Sequence, residues 1–525
     1  MAKEGSGYRM QAGGGLMPGT VNTGFVLDMQ RKLYRWSAAD SEKRFADLFN
    51  LVCDRRTIAA AWKNLSRNKG SQTPGTDGMT RRKVEERAGG VAAFLEEIRE
   101  RLRNGTYKPQ PVRQRLIPKP GKPGQFRPLG IPTLTDRLVQ MTLKLVLEPI
   151  FEADFYPTSY GFRRRRSTHD ALARLQKRLH PTRHGPSQTR YAIEGDIKSC
   201  FDAMDHHVLM ERVRRRIRDR KVLRLVLAFL KADIMIEGAR RHPVTGTPQG
   251  GIISPLLANI CLTAIDQRYG RWSPRPGEEA HRATDRRKHD RKLGRPTFYA
   301  VRYADDFVVF VEGTVEQAEA ERDALAEFLQ RELRMELSME KTRITDVGEG
   351  FDFLGYRVVR QPARHTRRPV GKLFIPKSKL RQLRRTIKVT VRKTPTGRPL
   401  ADLIDNLNPI VAGWRNYYRY AGKAWREFAK LDWWMDRRIA HWVRRKHDGA
   451  TWQALLHQYC GHRPGERKRW AEGTKKLRFF SDGATSHFPD RGTRIPNGWE
   501  TDPEQSFLPG DDRFWDDTNT LARFL

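Results

Sequence analysis

The stretch that decides the fold is residues 298–310, which read FYAVRYADDFVVF. Its apolar, β-branched and aromatic residues flank two adjacent acids, Asp305 and Asp306, and this pattern predicts a β-hairpin with the acids at its tip. Two carboxylates held at one turn repel each other unless a divalent cation lies between them. Aspartate is also a common turn residue, so the pair alone is more simply interpreted as a surface turn. The rest of the sequence overturns that interpretation.

The composition points to a nucleic-acid partner. The chain of 525 residues carries 100 Lys and Arg against 61 Asp and Glu, a net charge of +39. Its length predicts about three or four domains. A folded chain holds this much positive charge at a cost in self-repulsion, which a polyanion such as RNA or DNA relieves. The basic residues are interleaved with aromatic residues over long stretches, which disfavours a role at a membrane surface.

The cysteines and the apolar segments indicate a cytoplasmic protein. The four cysteines lie far apart and form no Cys-x-x-Cys pair, so the sequence suggests neither a zinc site nor a disulfide framework. The first 20 residues are rich in glycine and lack the apolar core of a signal peptide. No apolar run approaches the length that crosses a bilayer.

Three motifs follow one another in the middle of the chain. Asp196 ends a predicted strand, the motif TPQGGIISPLL occupies 247–257 with a predicted loop to Gly251 and a helix from Ser254, and YADD occupies 303–306. Taken alone, Asp196 fits a turn residue at a strand end as well as a ligand. Together, in this order, the three motifs resemble the palm of reverse transcriptases.

The resemblance extends on both sides of these motifs. The matching segments are IPK at 117–119, RPLGIP at 127–132, LSMEKT at 337–342, FDFLGY at 351–356, and NPIVAGW with NYY at 408–418. With them, the chain resembles a bacterial group II intron reverse transcriptase/maturase over roughly residues 70–445. The resemblance implies an RNA-directed DNA polymerase that binds its intron RNA, assists splicing and carries out target-primed reverse transcription during intron mobility.

The implied architecture is an α+β right-hand polymerase, with fingers and palm, followed by an α-helical thumb/maturase domain. We expect a disordered segment at 1–40, fingers and palm at 41–365, and the thumb/maturase domain at 366–450. The remaining residues, 451–525, form a basic segment and tail that are a candidate DNA-binding region.

The resemblance also implies a two-magnesium active site. Nucleotide addition is an in-line displacement at phosphorus, and two metal ions stabilise its attacking and leaving oxygens. Magnesium prefers hard oxygen ligands, which carboxylates provide. Asp196, Asp305 and Asp306 are the implied catalytic residues. Asp196, Asp305 and the carbonyl of Ile197 are the expected metal ligands.

Further residues match the family's nucleotide and primer contacts. Lys119 and Arg127 match basic residues that grip the triphosphate, as phosphate is bound well by both side chains. Phe201 occupies the position of an aromatic ring that collides with a ribose 2′-OH, although a lone phenylalanine is more often ordinary core. The expected nucleotide contacts are Lys119, Arg127, Phe201 and Gln249; the expected primer-end contacts are Phe353, Leu354 and Gly355.

Two basic stretches are expected to contact nucleic acid. The first is a helix in which Arg381, Arg384 and Arg385 stand beside apolar residues. The second is a helix predicted to begin near Pro409, with an aromatic stripe that is more often core than a stacking platform. Beside that stripe lie Arg415, Arg419, Lys423, Arg426 and Lys430. The expected partners are group II intron RNA, target DNA and dNTPs.

One departure from the family pattern affects the DNA step. Many members end in a zinc-dependent nuclease with paired Cys-x-x-Cys motifs, whereas here only His457, Cys460 and His462 cluster. This is too few for a four-ligand site. We therefore predict no metal-nuclease domain and dependence on an existing DNA strand end as primer.

Two alternatives remain from the sequence. A splicing factor that has lost polymerase activity is disfavoured by the intact set Asp196, Asp305 and Asp306. A polymerase recruited to bacterial defence or to retroelement work without an intron is disfavoured by the complete segment 413–418.

Overall fold

The computed structural model describes residues 23–118, 124–182, 185–236, 239–243, 245–247, 250–460 and 468–499. Three of the residues predicted above, Lys119, Gln249 and His462, lie outside these ranges. In the described part of the chain, no helix combines the length and the apolar character needed to cross a membrane.

The chain begins with a layer of helices around a long apolar helix. These helices are α1 (Thr23–Ala39), α2 (Phe49–Val52), α3 (Arg55–Arg67), α4 (Arg81–Glu86), α5 (Gly90–Arg103) and α6 (Leu134–Glu152). Helix α6 is buried over most of its length, and Thr133 caps its first turn by accepting from the backbone N–H of Asp136.

The predicted disorder of residues 1–40 is wrong for residues 23–39, which form α1. Val26, Met29 and Leu33 recur at helical spacing and are buried in the core that α6 shares. The side chain of Gln30 also donates to the Leu145 carbonyl at 2.8 Å. The prediction of disorder rested on the glycine-rich first residues and overlooked this apolar helical face. Tertiary packing of such a face supplies most of the stability of a helix in a protein.

A four-stranded sheet lies beside these helices, in the order β2-β1-β4-β5. Its strands are β1 (Val112–Pro118), β2 (Phe126–Ile131), β4 (Ile234–Ile236) and β5 (Ala239–Arg241). Strands β1 and β2 form an antiparallel hairpin, as the extended, proline-containing sequence indicates.

The central sheet has the order β6-β7-β3-β8. Its strands are β3 (Tyr191–Gly195), β6 (Thr297–Tyr303), β7 (Asp306–Glu312) and β8 (Arg343–Asp346). The predicted hairpin is confirmed, since β6 and β7 pair in antiparallel fashion up to the closing pair Tyr303 and Asp306. The mixture of helices and largely antiparallel sheets, in which only β1 and β4 of the described strands pair in parallel, also confirms the α+β class.

Both faces of the central sheet are buried, which explains why β7 is a continuous apolar run. Phe307 and Val309 face the core around α11 (Ser254–Arg268) and α13 (Val315–Leu333), whereas Val308 and Phe310 face a second core. The remaining helices here are α7 (Thr168–Arg178), α8 (Cys200–Ala203), α9 (His206–Arg214), α10 (Arg220–Leu230) and α12 (Ala280–Lys292).

A small sheet and four helices follow. The sheet has the order β11-β10-β9, formed by β9 (Phe351–Phe353), β10 (Tyr356–Pro362) and β11 (Pro369–Phe374). The helices are α14 (Lys377–Lys393), α15 (Leu400–Tyr418), α16 (Ala424–Lys446) and α17 (Trp452–Tyr459), and a short hairpin pairs β12 (Ala471–Glu472) with β13 (Lys475–Lys476).

The helix predicted to begin near Pro409 begins instead at Leu400 and contains Pro409 in its interior. Leu403, Leu407 and Val411 are fully buried on one face. This buried stripe outweighs the local penalty of an interior proline. The sequence pattern alone favoured Pro409 as the start of the helix, because proline is common at the first helical position.

Residues 487–499, called here the C-terminal strap, run back over the body of the protein. The Arg491 guanidinium donates two hydrogen bonds to the Asp170 carboxylate at 2.7 and 2.8 Å. Trp499, 1% exposed, stacks on Tyr34 of α1 with ring centroids 5.9 Å apart. The strap therefore ties α7 to α1, which the sequence did not predict.

The variant Arg491→Ala should lower the melting temperature by several degrees. It leaves the Asp170 carboxylate, whose side chain is 1% exposed, without its cation, and breaking a buried pair costs about 3–5 kcal/mol. Differential scanning fluorimetry measures the change, with Arg494→Ala as the control because Arg494 is exposed on the same strap. Equal melting temperatures for the two variants would contradict the role of the strap.

Candidate active site

The two central acids lie at a strained turn between β6 and β7. Ala304 and Asp305 are the two turn residues, and Ala304 has a φ of +59°. That left-handed conformation costs a non-glycine residue roughly 1–2 kcal/mol. The Ala304 carbonyl accepts a hydrogen bond from Arg302 Nη1 at 3.0 Å. The conformation of Ala304 determines the direction in which Asp305 and Asp306 leave the turn.

Strand β3 brings Asp196 to the same end of the sheet. Gly195, the last residue of β3, pairs with Phe307, the residue after Asp306. A Cβ on Gly195 would lie 2.1 Å from the Phe307 ring, so only glycine lets the two strands approach this closely. Asp196 follows directly and accepts a hydrogen bond from Lys341 Nζ at 2.8 Å.

The three carboxylates influence one another electrostatically. Burial, together with the charges of Asp305 and Asp196, raises the pKa of Asp306 to about 7, although the positive charge of Arg127 acts in the opposite direction. Burial also raises the pKa of Asp305, with a smaller contribution from Asp196. The structure therefore brings together the three acids that lie far apart in the sequence.

This donor set has the chemistry that a hard divalent cation requires. Carboxylate oxygens are the preferred ligands of magnesium, and crowded carboxylates are relieved by a cation. In the structure Lys341 supplies the positive charge next to Asp196. Within the described ranges, no group of three or more His, Cys, Asp or Glu side chains is already arranged to hold a metal ion.

The backbone next to Asp196 favours Ile197 as an additional oxygen donor. The Asp196 carbonyl accepts from Ser338, at 2.8 Å, and the N–H of Lys198 donates to Glu336, at 3.0 Å. Because successive residues of an extended chain point their backbone groups to opposite sides, the Ile197 carbonyl points away from this neighbouring segment.

Two of the predicted nucleotide contacts, Arg127 and Phe201, lie in the described part of the chain. Arg127 on β2 is exposed and lowers the pKa of both Asp305 and Asp306. Phe201 in α8 is half-buried, and its ring meets that of Phe162 edge-on at 6.5 Å. The backbone N–H of Thr247, just before the undescribed Gln249, donates to the Phe201 carbonyl at 2.8 Å.

Gly250, which follows the predicted nucleotide contact Gln249 in the sequence, lies against β2. Its φ is +117°, and a Cβ there would lie 2.3 Å from the Gly130 carbonyl oxygen. The positive φ and the close approach to Gly130 both require glycine at this position. Gly250 therefore lies beside the strand that carries Arg127.

The predicted primer-end residues form a tight turn between β9 and β10. Leu354 and Gly355 have φ values of +46° and +73°, as a two-residue hairpin turn requires. Tyr417 Oη donates to the Leu354 carbonyl at 2.5 Å, and Tyr418 Oη donates to the Gly355 carbonyl at 3.0 Å. The sequence reasoning missed these two anchors, although the tyrosines stand in the NYY motif.

The basic residues expected to contact nucleic acid lie on three helices and their junctions. On α14, Arg381 and Arg385 are exposed, and Arg384 is partly buried. The predicted second stripe is wrong as a single helical face, because Lys423, with a φ of +60°, separates α15 from α16. Arg415 and Arg419 thus belong to the end of α15, whereas Arg426 and Lys430 belong to α16.

The aromatic stripe is likewise divided between α15 and α16, and its residues differ in exposure. Trp414 and Phe428 are buried, as expected for core residues. Trp425 is 57% exposed, with the Arg426 guanidinium 5.0 Å from its ring.

The predicted absence of a zinc nuclease stays a prediction, since His462 lies outside the described residues.

Two families match the chain. Residues 117–358 match "Reverse transcriptase (RNA-dependent DNA polymerase)", and residues 380–460 match "Group II intron, maturase-specific domain". These segments contain the acids and the basic helices, respectively.

Several curated proteins are similar to this chain in sequence. Protein YkfC of Escherichia coli (strain K12) is 39% identical over 351 residues, which cover 65% of this chain and 90% of that protein. Group II intron-encoded protein LtrA of Lactococcus lactis subsp. cremoris is 32% identical over 377 residues, 63% of this chain and 60% of LtrA. A putative COX1/OXI3 intron 1 protein of Saccharomyces cerevisiae is 27% identical over 347 residues, 60% of this chain and 40% of that protein.

The double variant Tyr417→Phe/Tyr418→Phe should loosen the 354–355 turn. Each hydroxyl removed costs about 1 kcal/mol and leaves a backbone carbonyl without that partner, whereas ring packing is retained. We expect a lower melting temperature and faster proteolysis at this turn. Tyr420→Phe is the control, since the Tyr420 hydroxyl contacts Arg419 instead of the turn. A double variant as resistant as the control would argue against the anchoring role.

Proposed function

This chain belongs to the bacterial group II intron reverse transcriptases and maturases, so it is an RNA-directed DNA polymerase, and we propose that Asp196, Asp305 and Asp306 form its polymerisation site. The observation that carries this proposal is the convergence of the β3 end and the β6–β7 turn, where burial, together with Asp305 and Asp196, raises the pKa of Asp306 to about 7. A surface turn with no metal to bind would gain nothing from collecting three like charges.

The domain assignment follows from this family. We assign fingers and palm to residues 41–365 and the thumb/maturase domain to 366–450, with the central sheet as the palm. The two matched segments support this division. The basic tail beyond 450 remains a candidate for DNA contacts, and its described strap contacts the body of the protein.

The carboxylates supply the ligands for the proposed two magnesium ions. Asp196 and Asp305 hold the ions, the Ile197 carbonyl adds a backbone oxygen, and Asp306, the first residue of β7, adds negative charge beside them. When bound, magnesium stabilises the attacking and leaving oxygens of the displacement at phosphorus.

The neighbouring residues bind and select the nucleotide. Arg127, with Lys119, binds the triphosphate, and its charge already acts on the carboxylates. The Phe201 ring, backed by Phe162, leaves no room for a ribose 2′-OH and so selects dNTPs. Gln249 contacts the incoming nucleotide, and the adjacent Gly250 allows its loop to approach β2 closely.

The primer and the RNA are held by the parts after the central sheet. The turn at Phe353, Leu354 and Gly355 supports the primer end. The exposed arginines of α14, with those at the junction of α15 and α16, bind the phosphates of the intron RNA. Such contacts suit A-form RNA, whose major groove side chains cannot enter. Together these contacts allow the protein to assist splicing and to copy the intron at its DNA target.

The variant Asp305→Ala should reduce DNA synthesis by about 10³-fold or more, because several kcal/mol of metal-dependent charge stabilisation are lost. Incorporation of labelled dNTP on an RNA template with an annealed DNA primer measures this. RNA affinity should stay at the wild-type level, since the acid does not contact the proposed RNA surface. Asp323→Ala on α13 is the control, because Asp323 is an exposed acid that does not belong to the proposed site. Undiminished synthesis by Asp305→Ala would refute the assignment.

The double variant Arg381→Gln/Arg385→Gln should weaken intron RNA binding and its salt dependence. Each lost phosphate contact reduces the slope of log K against log salt by roughly 0.7–0.9. Filter binding at several salt concentrations gives the slope. Arg331→Gln, which removes an exposed charge on α13, should leave the slope unchanged. An unchanged slope in the double variant would exclude α14 from the RNA surface.

A further inference from the structure

A buried ion pair lies immediately before the catalytic turn. Arg302, on β6, and Asp266, on α11, have side chains that are 0% and 1% exposed. Of the ion pairs in the described part of the chain, this one is the most completely buried. Its position two residues before Ala304 makes it a candidate for more than stability.

Arg302 divides its donors between the helix and the turn. Its Nε and Nη2 donate to the Asp266 carboxylate, with the shortest contact at 2.6 Å. Its Nη1 donates to Asn259 Oδ1 at 2.9 Å and to the Ala304 carbonyl at 3.0 Å. One planar side chain therefore connects α11 to the residue with the left-handed backbone.

Asn259 extends the connection to the other side of the turn. Its Nδ2 donates to the Gly161 carbonyl at 2.8 Å. Gly161 lies so close to the turn that a Cβ would be 2.2 Å from the Ala304 nitrogen. The segment before it is also joined to Arg302, since the Tyr160 N–H donates to the Arg302 carbonyl at 2.9 Å. Ala304 is thus enclosed by the guanidinium on one side and by the 160–161 backbone on the other.

Stability alone does not account for this arrangement. A buried ion pair is often replaceable by apolar side chains of similar volume without loss of stability. An apolar pair could not, however, donate a hydrogen bond to the Ala304 carbonyl. The feature that only Arg302 supplies is the restraint on the turn that carries Asp305.

We propose that Arg302, oriented by Asp266 and Asn259, is a positioning residue for DNA synthesis: it holds Ala304 in the left-handed conformation and thereby fixes the direction of the Asp305 carboxylate. The proposal rests on the proposed function of Asp305. Helix α11 begins at Ser254, five residues after the proposed nucleotide contact Gln249 in the sequence. The same helix therefore follows the proposed nucleotide contact in the sequence and, through Asp266 and Asn259, orients the arginine that restrains the metal-binding turn.

The test uses the double variant Arg302→Met/Asp266→Leu, which removes both charges and keeps an apolar filling. We expect kcat for dNTP incorporation to fall about 100-fold, the size of effect that a small misplacement of reacting groups produces. The KM for dNTP and the RNA affinity should stay near wild type. Adding Ala304→Gly should restore part of kcat, since glycine adopts the left-handed conformation without strain.

The control acts on the same hairpin at its other end. Arg178→Met/Glu312→Leu removes the pair whose Nη2–Oε1 distance is 2.8 Å near the end of β7, and its kcat should be unchanged. If Arg302→Met/Asp266→Leu fails to fold, Arg302→Lys replaces it: lysine keeps the charge at Asp266 but cannot also reach Ala304, so kcat should fall with the fold retained.

Two outcomes would overturn the proposal. One is a wild-type kcat in a folded Arg302 variant. The other is a loss of kcat that Ala304→Gly does not relieve and that RNA affinity shares equally. Neither outcome touches the proposed function itself, which wild-type synthesis and its loss in Asp305→Ala test separately.

Discussion

The repulsion among three carboxylates at one edge of a sheet is the constraint on which the rest of the structure depends. Asp196 comes from the end of β3 and Asp305 with Asp306 from the β6–β7 turn, and the strand pairing of Gly195 with Phe307 forces them together. Lys341 and Arg127 offset part of the repulsion. A site built at this electrostatic cost is suited to binding cations and to chemistry on a phosphate chain.

The surrounding architecture keeps that edge in place while leaving it open. The central sheet is packed on both faces, so its strands cannot slide without disrupting two cores. The Tyr417 hydroxyl links α15 to the turn at Leu354 by a hydrogen bond to the Leu354 carbonyl. The Tyr417 backbone carbonyl also lies 2.8 Å from Nε2 of the buried His169. The C-terminal strap holds α7, next to His169, through Arg491. Helix α15 is thereby connected to α7 and to the turn between β9 and β10 by specific hydrogen bonds as well as by apolar contact.

The sequence predicted the elements that depend on local pattern. The apolar, β-branched and aromatic residues on both sides of Asp305 and Asp306 predicted the hairpin, and the proline-rich segments predicted the extended strands β1 and β2. Local pattern failed where tertiary contacts decide: α1 is helical because α6 covers its apolar face, and α15 continues through Pro409 because its stripe is buried. The network of Arg302, Asp266 and Asn259 could not be read from spacing, since its members meet only when β6 lies on α11.

The central claim is that Asp196 and Asp305 share metal ions during nucleotide addition. The most direct measurement is anomalous scattering from crystals of the protein with an RNA template, a DNA primer, a dNTP and Mn²⁺ in place of Mg²⁺. The account predicts an anomalous peak about 2–2.5 Å from carboxylate oxygens of both residues. A complex with nucleotide bound and no peak between Asp196 and Asp305 would contradict it.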